Sequence, residues 1–268
     1  MLKKLVTAIA ATAGLMAAFA DTSTNTSANG TVTPEVKNPW KQSVTAGLTL
    51  TSGNSDSLLA TIKYLADKKS ATDEFSLDAD AAYGKVNDVE NASSLHGFAQ
   101  WNHLFSERAY GYGRIEGLHD DIAAVSYRFT GTVGAGYYLI KEVNTSLSAE
   151  IGPGVVTQKL DYDDPNTYAT LRIGEKFEHK FAPGTRIWQT AEILPQVDRV
   201  QNYIFNLELG AEAALSKSFS LSVVLDDSYN SEPASYTVTR ATPLPPTTYT
   251  AYRKRNDVRL VSGITYKF

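Results

Sequence analysis

The residues whose types could do chemistry are few. They are four histidines, His96, His103, His119 and His179, and two acidic runs, Asp120-Asp121 and Asp161-Tyr-Asp-Asp164. Clustered carboxylates on a loop suit a hard divalent cation, so divalent cations are candidate ligands of the acidic loops. A calcium loop needs further oxygen ligands at fixed spacing and a distal glutamate, and these are missing. No two histidines have the spacing of a metal pair. A lipid hydrolase would need a serine and a histidine oriented by a third group. His103 lies beside Trp101 on an apolar strand face, but no Gly-x-Ser-x-Gly run supports it. No residue reads as catalytic, none as a cofactor ligand, and the histidines read first as interfacial or lumen polar groups.

A larger set of charges becomes visible once the elements that position them are laid out. Val258, Leu260, Ile264, Tyr266 and Phe268 fall on one parity of the last stretch, and Arg259, Val261, Gly263, Thr265 and Lys267 on the other. This period of two marks a strand with one apolar face. A soluble sheet would leave such an edge open to pairing, whereas a closed barrel has no edge. The spacing Gly263-x-x-Tyr266-x-Phe268 resembles the C-terminal insertion signal of bacterial outer-membrane barrels, which implies passage through periplasmic chaperones and the barrel-assembly machinery. The same alternation predicts twelve strands, at about 43–51, 57–67, 73–84, 93–105, 109–119, 126–139, 145–155, 168–180, 185–194, 202–214, from 218, and 256–268. About ten residues per strand cross an apolar band of about 25 Å at a tilt of about 40°. The predicted fold is all-β, a twelve-stranded antiparallel transmembrane barrel.

The ends and connections agree with this. Residues 1–20 read as a cleaved secretory signal, with Lys3 and Lys4, an apolar stretch and the Ala18-Phe19-Ala20 cleavage site. Residues 21–39 are rich in Ser, Thr and Asn and read as a disordered leader. The barrel is expected over 40–268, with Trp40 either at the membrane interface or plugging the lower end. There are no cysteines, and the chain carries a net charge of −4, not the balance of a nucleic-acid binder. Alternate connections are tight, and those between them are expected to be longer, at 85–92, 120–125, 157–167, 195–201 and 231–253. That asymmetry would put the tight rim and both termini in the periplasm. The Gly53, Asn54 and Asp56 tip of the first hairpin reads as a turn. Pro243–Pro246 is expected at the tip of a hairpin continuing the last two strands, which would bring Arg253, Lys254 and Arg255 close to lipopolysaccharide phosphates.

With the strands in place, the polar parity sends inward the acids Asp78, Asp80, Glu116, Glu150, Glu208, Glu212 and Asp226 and the bases Arg114, Arg128, Arg172, Lys176, Arg259 and Lys267. Arg or Lys facing lipid at the bilayer midplane would cost about 2–4 kcal/mol each. Charges of both signs at this density either pair and close the passage or leave a narrow wet path. Glu150 and Arg172, on neighbouring strands, are the first expected pair. Three positions fit poorly. Glu175 falls on an apolar parity, Trp188 on a polar one, and Gln189 on an apolar one, so a bulge or an interfacial position is expected there.

Trp40, the run Gly47-Leu-Thr-Leu-Thr-Ser-Gly-Asn-Ser-Asp-Ser57, the Trp188…Ile193-Leu-Pro195 segment and the Tyr-Lys-Phe terminus resemble the YdiY-like family of salt-induced outer-membrane proteins, catalogued as domain of unknown function DUF481. The resemblance spans roughly 40–268. It implies an outer-membrane barrel and brings no catalytic residues with it. The expected function is a narrow pore, or envelope-stress barrel, for ions or small polar solutes. The alternatives are a non-conducting barrel closed by its own side chains and, less favoured, an outer-membrane lipid hydrolase. Outer-membrane lipids and lipopolysaccharide are the expected surroundings.

Overall fold

The computed structural model describes residues 40–51, 57–161, 163–182, 184–240 and 247–268. The signal segment, the leader, the Gly53–Asp56 tip and Pro243–Pro246 lie outside the described residues. The strands are β1 (Lys41–Thr51), β2 (Ser57–Lys69), β3 (Asp73–Val86), β4 (Val89–Leu104), β5 (Ala109–Asp120), β6 (Val125–Lys141), β7 (Thr145–Leu160), β8 (Asn166–Ala182), β9 (Thr185–Gln196), β10 (Arg199–Ala214), β11 (Phe219–Asn230), β12 (Ser235–Arg240), β13 (Thr247–Tyr252) and β14 (Asn256–Lys267). Twelve of them close into one antiparallel barrel, with β1 paired to β14 and β14 to β11. β12 and β13 pair only with each other.

Alternation builds the wall. Leu48, Ile115, Phe129, Val133 and Leu260 stand on the outer face, each more than half exposed. An apolar surface of this extent has no place on a soluble barrel, and a lipid bilayer is the solvent that suits it. Aromatic side chains mark both edges of the band. At the tight-turn rim Trp40 packs 6.3 Å from Phe75, and Phe75 stacks 6.5 Å from Trp101. Trp40 therefore stands on the outer belt and does not plug the lumen. At the other rim Tyr203 stacks on Tyr229 at 5.4 Å.

The tight turns reuse one device. Ser106 Oγ accepts from the Ala109 amide at 2.9 Å, and Ser216 Oγ accepts from the Phe219 amide at 3.1 Å. In each case a serine hydroxyl satisfies a backbone donor that the reversal leaves unpaired.

The expected rim asymmetry is smaller than the sequence suggests. β3 and β4 run on to a two-residue turn at Asn87 and Asp88, with φ of 48° and 62°. Both central residues are left-handed, the geometry of a type I′ hairpin. β9 and β10 likewise leave only residues 197–198 between them. The residues expected in long loops are mostly strand, because a ladder once begun satisfies more backbone groups than a loop would. The 231–255 connection stays long and carries the β12–β13 hairpin. That hairpin forms its own two-stranded ladder, and it extends the β11–β14 pair through backbone hydrogen bonds from Asn230 N–H to Arg255 O and from Arg253 N–H to Ala234 O.

Candidate functional site: the charged lumen

The strands bring every charge assigned inward to the lumen face. Asp78 and Asp80 sit two residues apart on β3, with Lys63 of β2 opposite Asp80 and His96 of β4 on its other side. Lys63 Nζ lies 3.1 Å from Asp78 Oδ2 and 2.6 Å from Glu208 Oε2. Asp80 Oδ1 lies 2.9 Å from His96 Nδ1, and His96 Nε2 lies 3.4 Å from Glu116 Oε1. Arg114 Nη2 binds Glu116 at 2.7 Å, and its guanidinium stacks on Phe98 at 3.7 Å. Arg259 joins Asp226, at 3.4 Å, to Asp80, at 3.6 Å.

A second network lies on β7–β9. Arg172 Nη1 donates to Glu150 Oε2 at 2.6 Å, and its Nε donates to Glu192 Oε2 at 2.8 Å. Glu150 Oε1 also accepts from Gln100 and from Tyr110 Oη, at 2.7 and 2.9 Å. A third network sits nearer the tight-turn rim. There Arg186 lies 2.9 Å from Glu178 and 3.1 Å from Glu212, and Lys267 also binds Glu212. Two bases stand apart. Arg128 is buried and donates from Nε to Gln158 Oε1 at 2.8 Å, while its Nη2 has no partner. Lys176 points inward, opposite Ser148 and Thr190, and stays exposed, so the lumen is wet beside it.

Some of these contacts are far longer in the wall than in space. Three strands, β1, β14 and β11, separate β2 from β10. A circular ring of twelve strands about 4.8 Å apart, tilted by about 40°, places such strands roughly 20 Å apart across the lumen. A lysine and a glutamate cannot span that, so the Lys63–Glu208 contact requires a flattened cross-section. Tyr138 of β6 binds Glu74 of β3 in the same way, with two strands between them.

Close approach of rings to the wall needs glycine. A Cβ on Gly136 would fall 2.2 Å from Tyr110 Cζ, and one on Gly210 would fall 2.0 Å from Trp188 Cε2. The two rings thus lie flat on the inner wall. Trp188 points into the lumen and donates to Glu208 at 2.5 Å. The three poorly fitting positions therefore need no bulge. The β7–β8 register is regular through Glu175, which faces outward and accepts a hydrogen bond from outward-facing Gln189. Tyr110 and Tyr112 share the lumen face with Arg114 and Glu116, and Gly111 between them faces lipid.

Lys63, His96, Glu74, Glu178, Arg186 and Glu192 were absent from the inward set assigned by sequence. Parity alone would have found Lys63, since Ile62 and Tyr64 on either side face outward. A buried inward layer of Val156, Tyr168, Leu194 and Ile204 is also missed, because apolar residues on the lumen parity break the alternation rule. Val156 pairs with Tyr168 and Leu194 with Ile204. Beyond this layer a cavity of about 740 Å³ opens at the mouth, lined by Gln158, Asn166, Asn202, Glu232, Arg253 and Arg255.

The loop carboxylates act as caps. Asp120 Oδ1 accepts from the Ile122 and Ala123 amides, Asp121 accepts from Ser93, and Asp161 accepts from Ser126. His103 engages Asp73 at 3.0 Å, and His179 meets Thr145 at 2.8 Å.

Comparison with solved structures finds matches over most of the chain at low identity and low TM-score. The translocator domain of the autotransporter NalP from Neisseria meningitidis covers 99% of this chain and 98% of its own, at 14% identity and a TM-score of 0.42. A NanC porin structure covers 85% and 98%, at 6% identity and a TM-score of 0.45. The KdgM porin covers 86% and 99%, at 8% identity and a TM-score of 0.42. Scores this low decide nothing about this chain. No curated protein matches the sequence. Residues 44–268 match the family described as protein of unknown function, DUF481, and the chain belongs to that family.

Proposed function

We propose that the protein is an outer-membrane barrel with both termini in the periplasm, and that its lumen is a narrow pore for ions or small polar solutes with a weak preference for cations. The observation that carries this reading is the Lys63 bridge to Asp78 and Glu208, which crosses the lumen and narrows it. Lys176, inward and exposed, supports a wet path beside that bridge. Mixed charge at this density selects by size and sign and admits no large solute. The salt-linked envelope role implied by the family resemblance fits a barrel of this kind. In this reading the chain is no enzyme, and its partners are outer-membrane lipids, lipopolysaccharide at the long-loop rim and the assembly machinery during insertion.

A second reading has its own observation. The buried Val156, Tyr168, Leu194 and Ile204 layer favours a barrel that does not conduct. Single-channel recording on refolded protein, with reversal potentials in a salt gradient, separates the two. A small cation-preferring conductance is expected. A large anion-selective one would overturn the proposal, and silence would establish the closed barrel.

A further inference from the structure

We infer that Asp78, Asp80 and His96 form a divalent-cation site in the lumen wall, suited to a borderline ion such as Zn²⁺ or Co²⁺. One ligand atom from each of the three residues lies within 4.8 Å of the other two. The strands fix this geometry. Asp78 and Asp80 are on one face of β3, and His96 is the direct partner of Asp80 on β4. Modest rotations of the two carboxylates would bring their oxygens and the imidazole nitrogen to the roughly 2.0–2.2 Å that such an ion requires. Imidazole with carboxylate selects a borderline ion over calcium or magnesium, which prefer all-oxygen cages.

One observation independent of this convergence points to a bound ion. Asp78 is only 8% exposed, and its Oδ1 has no hydrogen-bond partner. Lys63 takes the other oxygen, Oδ2. A buried carboxylate oxygen left unpaired is costly, and a cation at that position removes the cost. The connected network holds five carboxylates, Asp78, Asp80, Glu116, Glu208 and Asp226, and three fixed cations, Lys63, Arg114 and Arg259. Both ring nitrogens of His96 face carboxylate oxygens, so a divalent ion would take the place of the His96 proton on the Asp80 side. Glu116, 3.4 Å from His96 Nε2, is placed to accept that N–H and turn the other ring nitrogen to the ion.

The test is binding, read without any current, so it stands or falls apart from the pore reading. Refolded barrel, stripped with chelator, is titrated with Zn²⁺ by calorimetry and with Co²⁺ by visible absorption, and folding is checked by heat-modifiable gel mobility. One saturable ion per barrel is expected. Asp80→Asn and His96→Ala should abolish the Co²⁺ spectrum, and Glu116→Gln should weaken binding by about tenfold. Lys63→Gln frees Asp78 Oδ2 and should tighten binding several-fold, an effect that damage to the fold would not produce. Absence of saturable binding, unchanged affinity in folded His96→Ala, or weakening by Lys63→Gln would each overturn the site. So would binding lost in Asp163→Asn and Asp164→Asn, which would place the ion on the loop.

Discussion

Lys63 on β2 and Glu208 on β10 meet at 2.6 Å inside the lumen, although three strands lie between them in the wall. The same ammonium holds Asp78. Replacing Lys63 with Met leaves two carboxylates facing each other, and the barrel should lose about 1–3 kcal/mol of stability. The constriction should also widen, so conductance and cation preference should both rise. Unchanged current with lowered stability would show that the bridge is structural only.

Glu150 and Glu208 set the sign of the pore in this reading. Glu150→Gln weakens the hold on Arg172, and Glu208→Gln weakens the hold on Lys63. Each substitution removes one negative charge from a lumen whose cations remain. The reversal potential in a salt gradient should move toward zero in both variants. A potential unmoved by either would remove these carboxylates from the ion path.

In the proposed function the last strand carries the assembly signal. Tyr266 packs 5.1 Å from Phe219 and 4.9 Å from Phe268 on the outer belt. Deleting Phe268, or replacing Tyr266 and Phe268 with Ser, should leave the protein in the periplasm without a heat-modifiable band. A variant that still fractionates with the outer membrane would contradict the role given to this strand.

Glu175 and Gln189 are hydrogen-bonded to each other on the lipid face, between Ile173 and Phe177 along β8. Acidic groups at such depth cost less than arginine or lysine but still oppose insertion. The Glu175→Leu, Gln189→Leu double variant should gain about 1 kcal/mol in urea unfolding from lipid vesicles. A loss of stability would instead show that their hydrogen bond helps to hold β8 to β9.

The wall was legible in the sequence because each strand shows lipid one face and water the other, and parity carries that contrast directly. Asp78, Arg172 and Glu150 follow from it, and so does the Arg172–Glu150 pair. What parity does not carry is depth across the lumen. Nothing local joins Lys63 to Glu208, or His96 to Asp78, because flattening of the ring brings the first pair together and cross-strand register the second. Tyr110 and Trp188 stand on the lumen parity although they are aromatic. An aromatic ring with a polar end is as suited to a lumen wall as to a membrane belt, and only the facing glycines, Gly136 and Gly210, tell them apart.

The β1–β14 ladder pairs four residues, Ser43–Ala46, whereas β11–β14 pairs eleven. A chain of hydroxyls crosses that line, with Thr45 on Thr265 at 2.8 Å and Thr265 on Ser222 at 2.7 Å. The wall thus has a tear line, held partly by side chains on its wet side. Amide exchange should be fastest along it. A lateral opening toward the bilayer would cost least along this line, where a Cβ on Gly47 would fall 2.7 Å from Ser262 O and one on Gly263 2.7 Å from Ala46 O.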